Sequence, residues 1–166
     1  MPSAFSFCAS RNISWALYPN HSTPAGRKLR LRQEYFFRAA STQAVLAQLL
    51  EEDGTLKNWA VKVAIHLNET HPAISVAELM RLLCDEHGMN WADVHVICKN
   101  NFSHTNYTLM PAAVKTWPVL VMQQVLPRHL EINVLINQAF LDEAAKHRPG
   151  DMGFINRLSL IDESGE

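Results

Sequence analysis

Lys62 to Pro72 reads Lys-Val-Ala-Ile-His-Leu-Asn-Glu-Thr-His-Pro, and this stretch limits what the chain can fold into more than any other. Lys62 to Leu67 is short, carries β-branched residues and is apolar enough for a strand covered on both faces. Asn68, Glu69, Thr70 and His71 then arrive together, and Pro72 ends the strand. Ser75, with Glu78 three residues on, has the form of a capping box that opens a helix. The order is strand, polar turn, helix. In open α/β sheets, ligands lie in the crevice beyond the carboxyl ends of the strands. A carboxylate and an imidazole at that edge therefore mark a candidate site. Turn formation and capping are the plainer use of the same residues.

The chain has 166 residues, one domain's worth, and its 48% hydrophobic and 19% charged residues make it globular. A formal net charge of -1 gives no electrostatic case for nucleic acid or an anionic membrane. No apolar run approaches the roughly 18 residues of a membrane span. The first ten residues lack the basic start and longer apolar core of a signal peptide. Cys8, Cys84 and Cys98 are odd in number and form no C-x-x-C pair; Cys84 and Cys98 fall in apolar helical patterns as buried thiols. These features predict a reducing, cytoplasmic setting. The Asn-x-Ser/Thr triplets at Asn12, Asn20, Asn68, Asn101 and Asn106 then carry no meaning as glycan acceptors.

Helical spacing predicts a long helix from Lys28 to about Leu50, closed at Gly54, with a connector over Thr55 to Ala60. Arg27, Lys28, Arg30 and Arg32 crowd its first turns, against the helix dipole, and read as a solvated basic face. A second helix runs from Val76 to about His87 and stops at Gly88. Asn90 with Asp93 caps a third, whose face holds Trp91, Val94, Ile97 and Cys98. Phe102 to Leu109 reads as a short extended piece. Trp117-Pro118 opens a short helix, and Pro127 separates it from a long one over Arg128 to about His147. That helix is apolar almost all round, which demands burial by neighbours. Only one strand is plain, and one strand cannot make a sheet. Its partners are either poorly visible or outside the chain.

His66-x-x-Glu-x-His71 lacks a zinc-site spacing, and in a strand the two imidazoles point to opposite faces, so no metal is expected. No serine or cysteine has a nucleophile-elbow context, and there is no Gly-rich phosphate loop. His104 and Tyr107 flank Asn106 in a polar turn, suited to a sugar or phosphate contact or to capping.

The ordered motifs go further. Arg30-Leu-Arg-Gln-Glu-Tyr-Phe36, Val63-Ala-Ile-His-Leu-Asn-Glu-Thr-His-Pro72, Glu78-Leu-Met-Arg-Leu-Leu83, Thr105-Asn-Tyr-Thr-Leu-Met-Pro111 and Leu126-Pro-Arg-His-Leu-Glu-Ile132 follow one another. Asn137-Gln138, Phe140-Leu141, Pro149-Gly-Asp151 and Leu158-Ser-Leu-Ile161 continue the series. Together they resemble the α-glucan phosphorylases of glycogen, starch and maltodextrin, from about Asn12 onward; residues 1–11 do not match. The resemblance implies a helix-rich α/β fold: residues 12–166 as a partial N-terminal domain of a two-domain, GT-B-like glycosyltransferase, with an incomplete sheet. It implies phosphorolysis of terminal α-1,4 bonds of a glucan to glucose 1-phosphate. The family's cofactor is pyridoxal phosphate, whose lysine belongs to a segment outside this chain. The implied partners are α-1,4-glucan and phosphate, with no nucleic acid and no membrane, and a severed apolar face that invites association.

Residue by residue, Thr70 and His71 match the family's Asp-Thr-His-Pro turn beside the glucose site, with Glu69 in place of the aspartate. Tyr18, Pro19 and Asn20 match the start of the loop at the cleft mouth; His21 and Ser22 depart from its usual Asp-Asn. Asn106 and Thr108 match an Asn-His-Thr motif in which Tyr107 replaces the sugar-contacting histidine. Met110-Pro-Ala-Ala-Val-Lys115 loses two carboxylates of the family's Leu-Pro-Glu-Ala-Leu-Glu. Ala47 and Gln48 stand where AMP-regulated members carry paired arginines, which implies no AMP control there. No complete catalytic set is present. Two functions are therefore expected in competition: a phosphorylase segment inactive by itself, or a non-catalytic, truncated paralogue that binds glucan or a partner.

Overall fold

The computed structural model describes residues 13–15, 19–20, 22–56, 58–107, 110 and 116–162. Tyr18 and Thr108 lie outside these residues, as do Cys8 and Lys115. Helix α1 (Pro24–Asp53) begins where Thr23 accepts the Gly26 N–H on its hydroxyl at 3.0 Å. Pro24 falls in the first turn, where its missing N–H costs nothing. Gly54 ends the helix in the left-handed region, φ 66°. Arg27 and Arg32 are exposed, as the solvated-face reading expects, but Arg30 is half-buried and paired inward with Glu34.

A one-turn helix, α2 (Trp59–Lys62), occupies ground expected to be connector and strand. Its anchor is Trp59, which is fully buried. Strand β1 (Ile65–Asn68) therefore starts later than predicted, and it pairs in parallel with β2 (Phe102–Thr105), Ile65 opposite Phe102 and Asn68 opposite Thr105. Asn101 sets this register. Its side-chain amide donates to the carbonyls of Val63 and Trp59, joining the start of one strand to the start of the other. The sheet is not covered on both faces as expected. In β1 only Leu67 is buried, while His66 and Asn68 are exposed, because the described sheet is two strands wide.

Between the strands run a 3₁₀ turn (His71–Ala73), α3 (Ile74–Arg81), a π-helical turn (Leu82–Glu86) and α4 (Trp91–Asn101). Such a crossover is what parallel strands require. The capping box does not form. Ala73 holds the cap position without a side-chain bond, and Ser75 and Glu78 are buried inside α3. The 3₁₀ turn feeds straight into α3, so its first N–H groups need no side-chain acceptor. The predicted cap of α4 does form: the Asn90 side chain accepts the Asp93 N–H at 2.9 Å. Gly88, at φ 65°, makes the turn before it.

Helix α5 (Val119–Val125), α6 (Pro127–His147) and α7 (Met152–Leu158) complete the described chain. The core centres on α3, whose Leu79, Met80 and Ala77 are almost inaccessible, with Leu82, Leu83 and Val94 beside them. A smaller cluster joins Leu31 of α1 to Met122 and Leu126. Helix α6 corrects the expectation of all-round burial. Ile132 and Ala144 face inward, but Val134, Leu135 and Phe140 are each more than two-fifths exposed. At about 100° per residue these three side chains leave the helix in different directions, so apolar surface stays open on more than one side of it. No helix of the described residues is long and apolar enough to cross a membrane.

Candidate functional site

The two strands are parallel, so their carboxyl ends meet at one edge. Glu69 follows β1 and Asn106 follows β2. The Glu69 N–H donates to the Thr105 carbonyl at 2.9 Å, and His104 Nε2 lies 3.0 Å from the Glu69 carbonyl. Two segments singled out separately, Glu69–His71 and Asn106–Tyr107, are thus brought together. Glu69 has φ 66°, the only left-handed non-glycine among the described residues. A side chain there costs about 1–2 kcal/mol, and backbone strain of this kind collects at functional turns. Aspartate adopts this conformation more readily than glutamate.

Beyond the turn lies a cavity of about 180 Å³ whose wall includes Thr70, His71, Glu34, Trp117, Met122 and Asn133. Each element delivers its part. Helix α1 supplies Glu34, the strand-to-helix turn supplies Thr70 and His71, and the small Leu31–Met122–Leu126 cluster holds the floor. A hydroxyl, an imidazole and a carboxylate beside an indole suit a small ligand with C–H faces and polar edges. Glu69, Asn106 and Tyr107 stand outside this wall. Tyr107 is 75% exposed. Pro19 is buried and Asn20 exposed; the Asn20 side chain accepts from the Ser22 N–H at 2.9 Å and the Ser22 hydroxyl at 2.7 Å, which folds the loop ahead of α1.

A second cavity, about 270 Å³, lies along β1 between Arg38, Thr42, His66, Asn68 and Ser75. Neither cavity has a lysine in its wall. Among the described residues no three His, Cys, Asp or Glu side chains gather as a metal site. Cys98 is buried and its thiol is pushed up to about 12 by burial, which makes it inert at neutral pH; Cys84 is half-buried and also raised by burial.

The sequence reading missed Glu34. Its Oε1 takes both Arg30 Nε at 3.0 Å and His71 Nδ1 at 3.1 Å. A lone acid among Arg27, Lys28, Arg30, Arg32 and Arg38 was the available signal. Nor did pattern mark the cluster in which the buried Glu78 Oε2 meets the buried His129 Nε2 at 2.7 Å and the half-buried Arg81 Nε at 2.9 Å.

A parallel strand–helix–strand unit with a polar, strained carboxyl edge defines a helix-rich α/β protein. Comparison with known sequences specifies it further. The profile of the carbohydrate phosphorylase family matches residues 6–166. The glycogen phosphorylase of Haemophilus influenzae is 48% identical over 155 residues, 93% of this chain and 19% of that protein. That of Synechocystis is 44% identical over 158 residues, and the human brain form 41% over 162, each again with 19% of its length covered. The chain belongs to the carbohydrate phosphorylase family. It spans about a fifth of the length of the curated relatives it matches.

Proposed function

We propose that this chain is the sugar-facing segment of an α-glucan phosphorylase, drawn from the later part of the N-terminal domain of a GT-B-like enzyme. Its reaction in that setting is the attack of phosphate on a terminal α-1,4 bond, releasing glucose 1-phosphate in the cytoplasm. The observation that carries this reading is the cavity at the carboxyl end of β1, where Thr70 and His71 of the Glu-Thr-His-Pro turn face Trp117. Phosphorolysis needs stabilisation of an oxocarbenium-like centre and a proton donor. Thr70 and His71 supply hydrogen bonds to sugar hydroxyls, and Trp117 supplies an apolar wall. The donor and the attacking phosphate are held elsewhere. The lysine that holds the family's pyridoxal phosphate is taken to lie outside this chain, in keeping with two cavity walls that carry no lysine.

Electrophoresis through glycogen-containing native gel tests the sugar wall. The chain is expected to be retarded and the His71→Ala variant to run as in plain gel. The same protein with maltodextrin and phosphate is expected to release no glucose 1-phosphate. Equal mobility of both proteins, or turnover by the chain alone, contradicts the proposal.

A second reading, a glucan- or partner-binding module without catalysis, has Tyr107 in its favour. It replaces the family's sugar-contacting histidine and projects into solvent.

A further inference from the structure

Glu34 lies on α1 and His71 on the turn after β1, 37 residues apart, yet the carboxylate and the ring nitrogen Nδ1 are 3.1 Å from each other. The Glu34 side chain is 7% exposed, against 30% for His71. The same Oε1 takes Arg30 Nε at 3.0 Å, so the carboxylate is anchored from its own helix before it reaches the ring. Both Glu34 and His71 border the 180 Å³ cavity.

The chemistry of the pair fixes more than a contact. An ionised carboxylate only accepts, and a neutral imidazole carries one proton. The proton must therefore reside on Nδ1, which leaves Nε2 with a lone pair. No partner holds Nε2 among the described residues. We propose that Glu34 is the positioning residue of His71, locking the Nδ1–H tautomer so that Nε2 accepts a hydrogen bond from a hydroxyl group of the ligand in this cavity. Thr70, on the same wall, is then the complementary group that can donate or accept. The identity of the ligand as a sugar rests on the function proposed above; the tautomer does not.

Ring ¹⁵N resonances of His71 in the full chain, at a pH where the ring is neutral, test this directly. The expected pattern is a pyrrole-type Nδ1 and a pyridine-type Nε2. Glu34→Gln, whose amide both donates and accepts, should let the two resonances move toward each other, while Arg30→Gln should leave the pattern in place. Maltotriose should shift Nε2 in the wild type and do so at least several-fold more weakly, at equal concentration, in Glu34→Gln. A wild-type ring protonated on Nε2 overturns the dyad with no variant needed, and does so whether or not the sugar reading holds. Equal maltotriose affinity in wild type and Glu34→Gln overturns the positioning role. A locked Nδ1–H ring that ignores maltotriose overturns the hydroxyl assignment together with the sugar reading.

Discussion

Glu78→Ala is expected to unfold roughly 10 °C below the wild type, a loss of about 3–5 kcal/mol. Glu78 is completely buried on α3 and accepts from His129 of α6 at 2.7 Å and from Arg81 at 2.9 and 3.0 Å. The Tyr35 ring of α1 packs edge-on against His129, 5.0 Å between centroids. The carboxylate thus joins α3 to α6, and the Tyr35 ring brings α1 against the same imidazole. Removing it leaves the Arg81 guanidinium without its counter-charge and the buried His129 ring without its hydrogen-bond partner, which is why the cost exceeds that of a single lost hydrogen bond. The pH response follows from the same geometry. Burial pushes the Glu78 carboxyl up, but the hydrogen bonds from His129 and Arg81 outweigh it and hold it at about 2, below its ordinary 4.5. The folded value lies below the unfolded one, so the charged carboxylate stabilises the fold above pH 4.5. That contribution is lost as pH falls from 4.5 toward 2, and amounts to about 3 kcal/mol. Acid unfolding of Glu78→Gln, followed by circular dichroism, should lack this step. An acid limb identical to the wild type would show that the network does not couple α3 to α6.

Gly26→Ala is expected to cost about 1–3 kcal/mol and to displace the loop ahead of α1. A Cβ at Gly26 would stand 1.8 Å from the Asn20 carbonyl oxygen and 2.8 Å from its carbon. These are backbone atoms, so no side-chain rotation relieves the clash. The loop must move, and with it the Asn20 side chain that binds Ser22 and the Asn20 carbonyl that accepts the Thr23 hydroxyl at 3.3 Å. Because Thr23 also caps α1, the damage reaches the helix that carries Glu34. Thermal unfolding measures the loss. A melting temperature equal to the wild type would mean that the loop and the helix start are not held together in this way.

The parts that sequence made legible are those set by local chemistry. Asn90 capping α4, the left-handed glycines Gly54 and Gly88, and the helix after Pro127 all depend on residues within a turn of each other. What pattern could not show depends on distant partners. Ser75 and Glu78 have capping-box spacing, but Glu78 turns inward to His129, 51 residues away. Phe102 to Thr105 was legible as part of a short extended piece, but its pairing with β1 was not, because the partner lies 37 residues earlier. The apolar circumference of α6 suggested burial, yet Val134 and Leu135 remain open because no described element covers them. At the site, Thr70 and His71 were evident from the strand-to-helix turn. Glu34 was not, because its partner His71 lies 37 residues away and nothing local marks which charge of the helix turns inward.

A chimaera tests the central claim most directly. This chain would replace the matching segment of the Haemophilus influenzae glycogen phosphorylase, 48% identical over 155 residues, and release of glucose 1-phosphate would be measured. The account predicts turnover that rises with Tyr107→His and falls about 10- to 100-fold with His71→Ala, the worth of one charged-group or well-aligned hydrogen bond to the sugar. A folded chimaera that turns over equally well with and without His71 would contradict it.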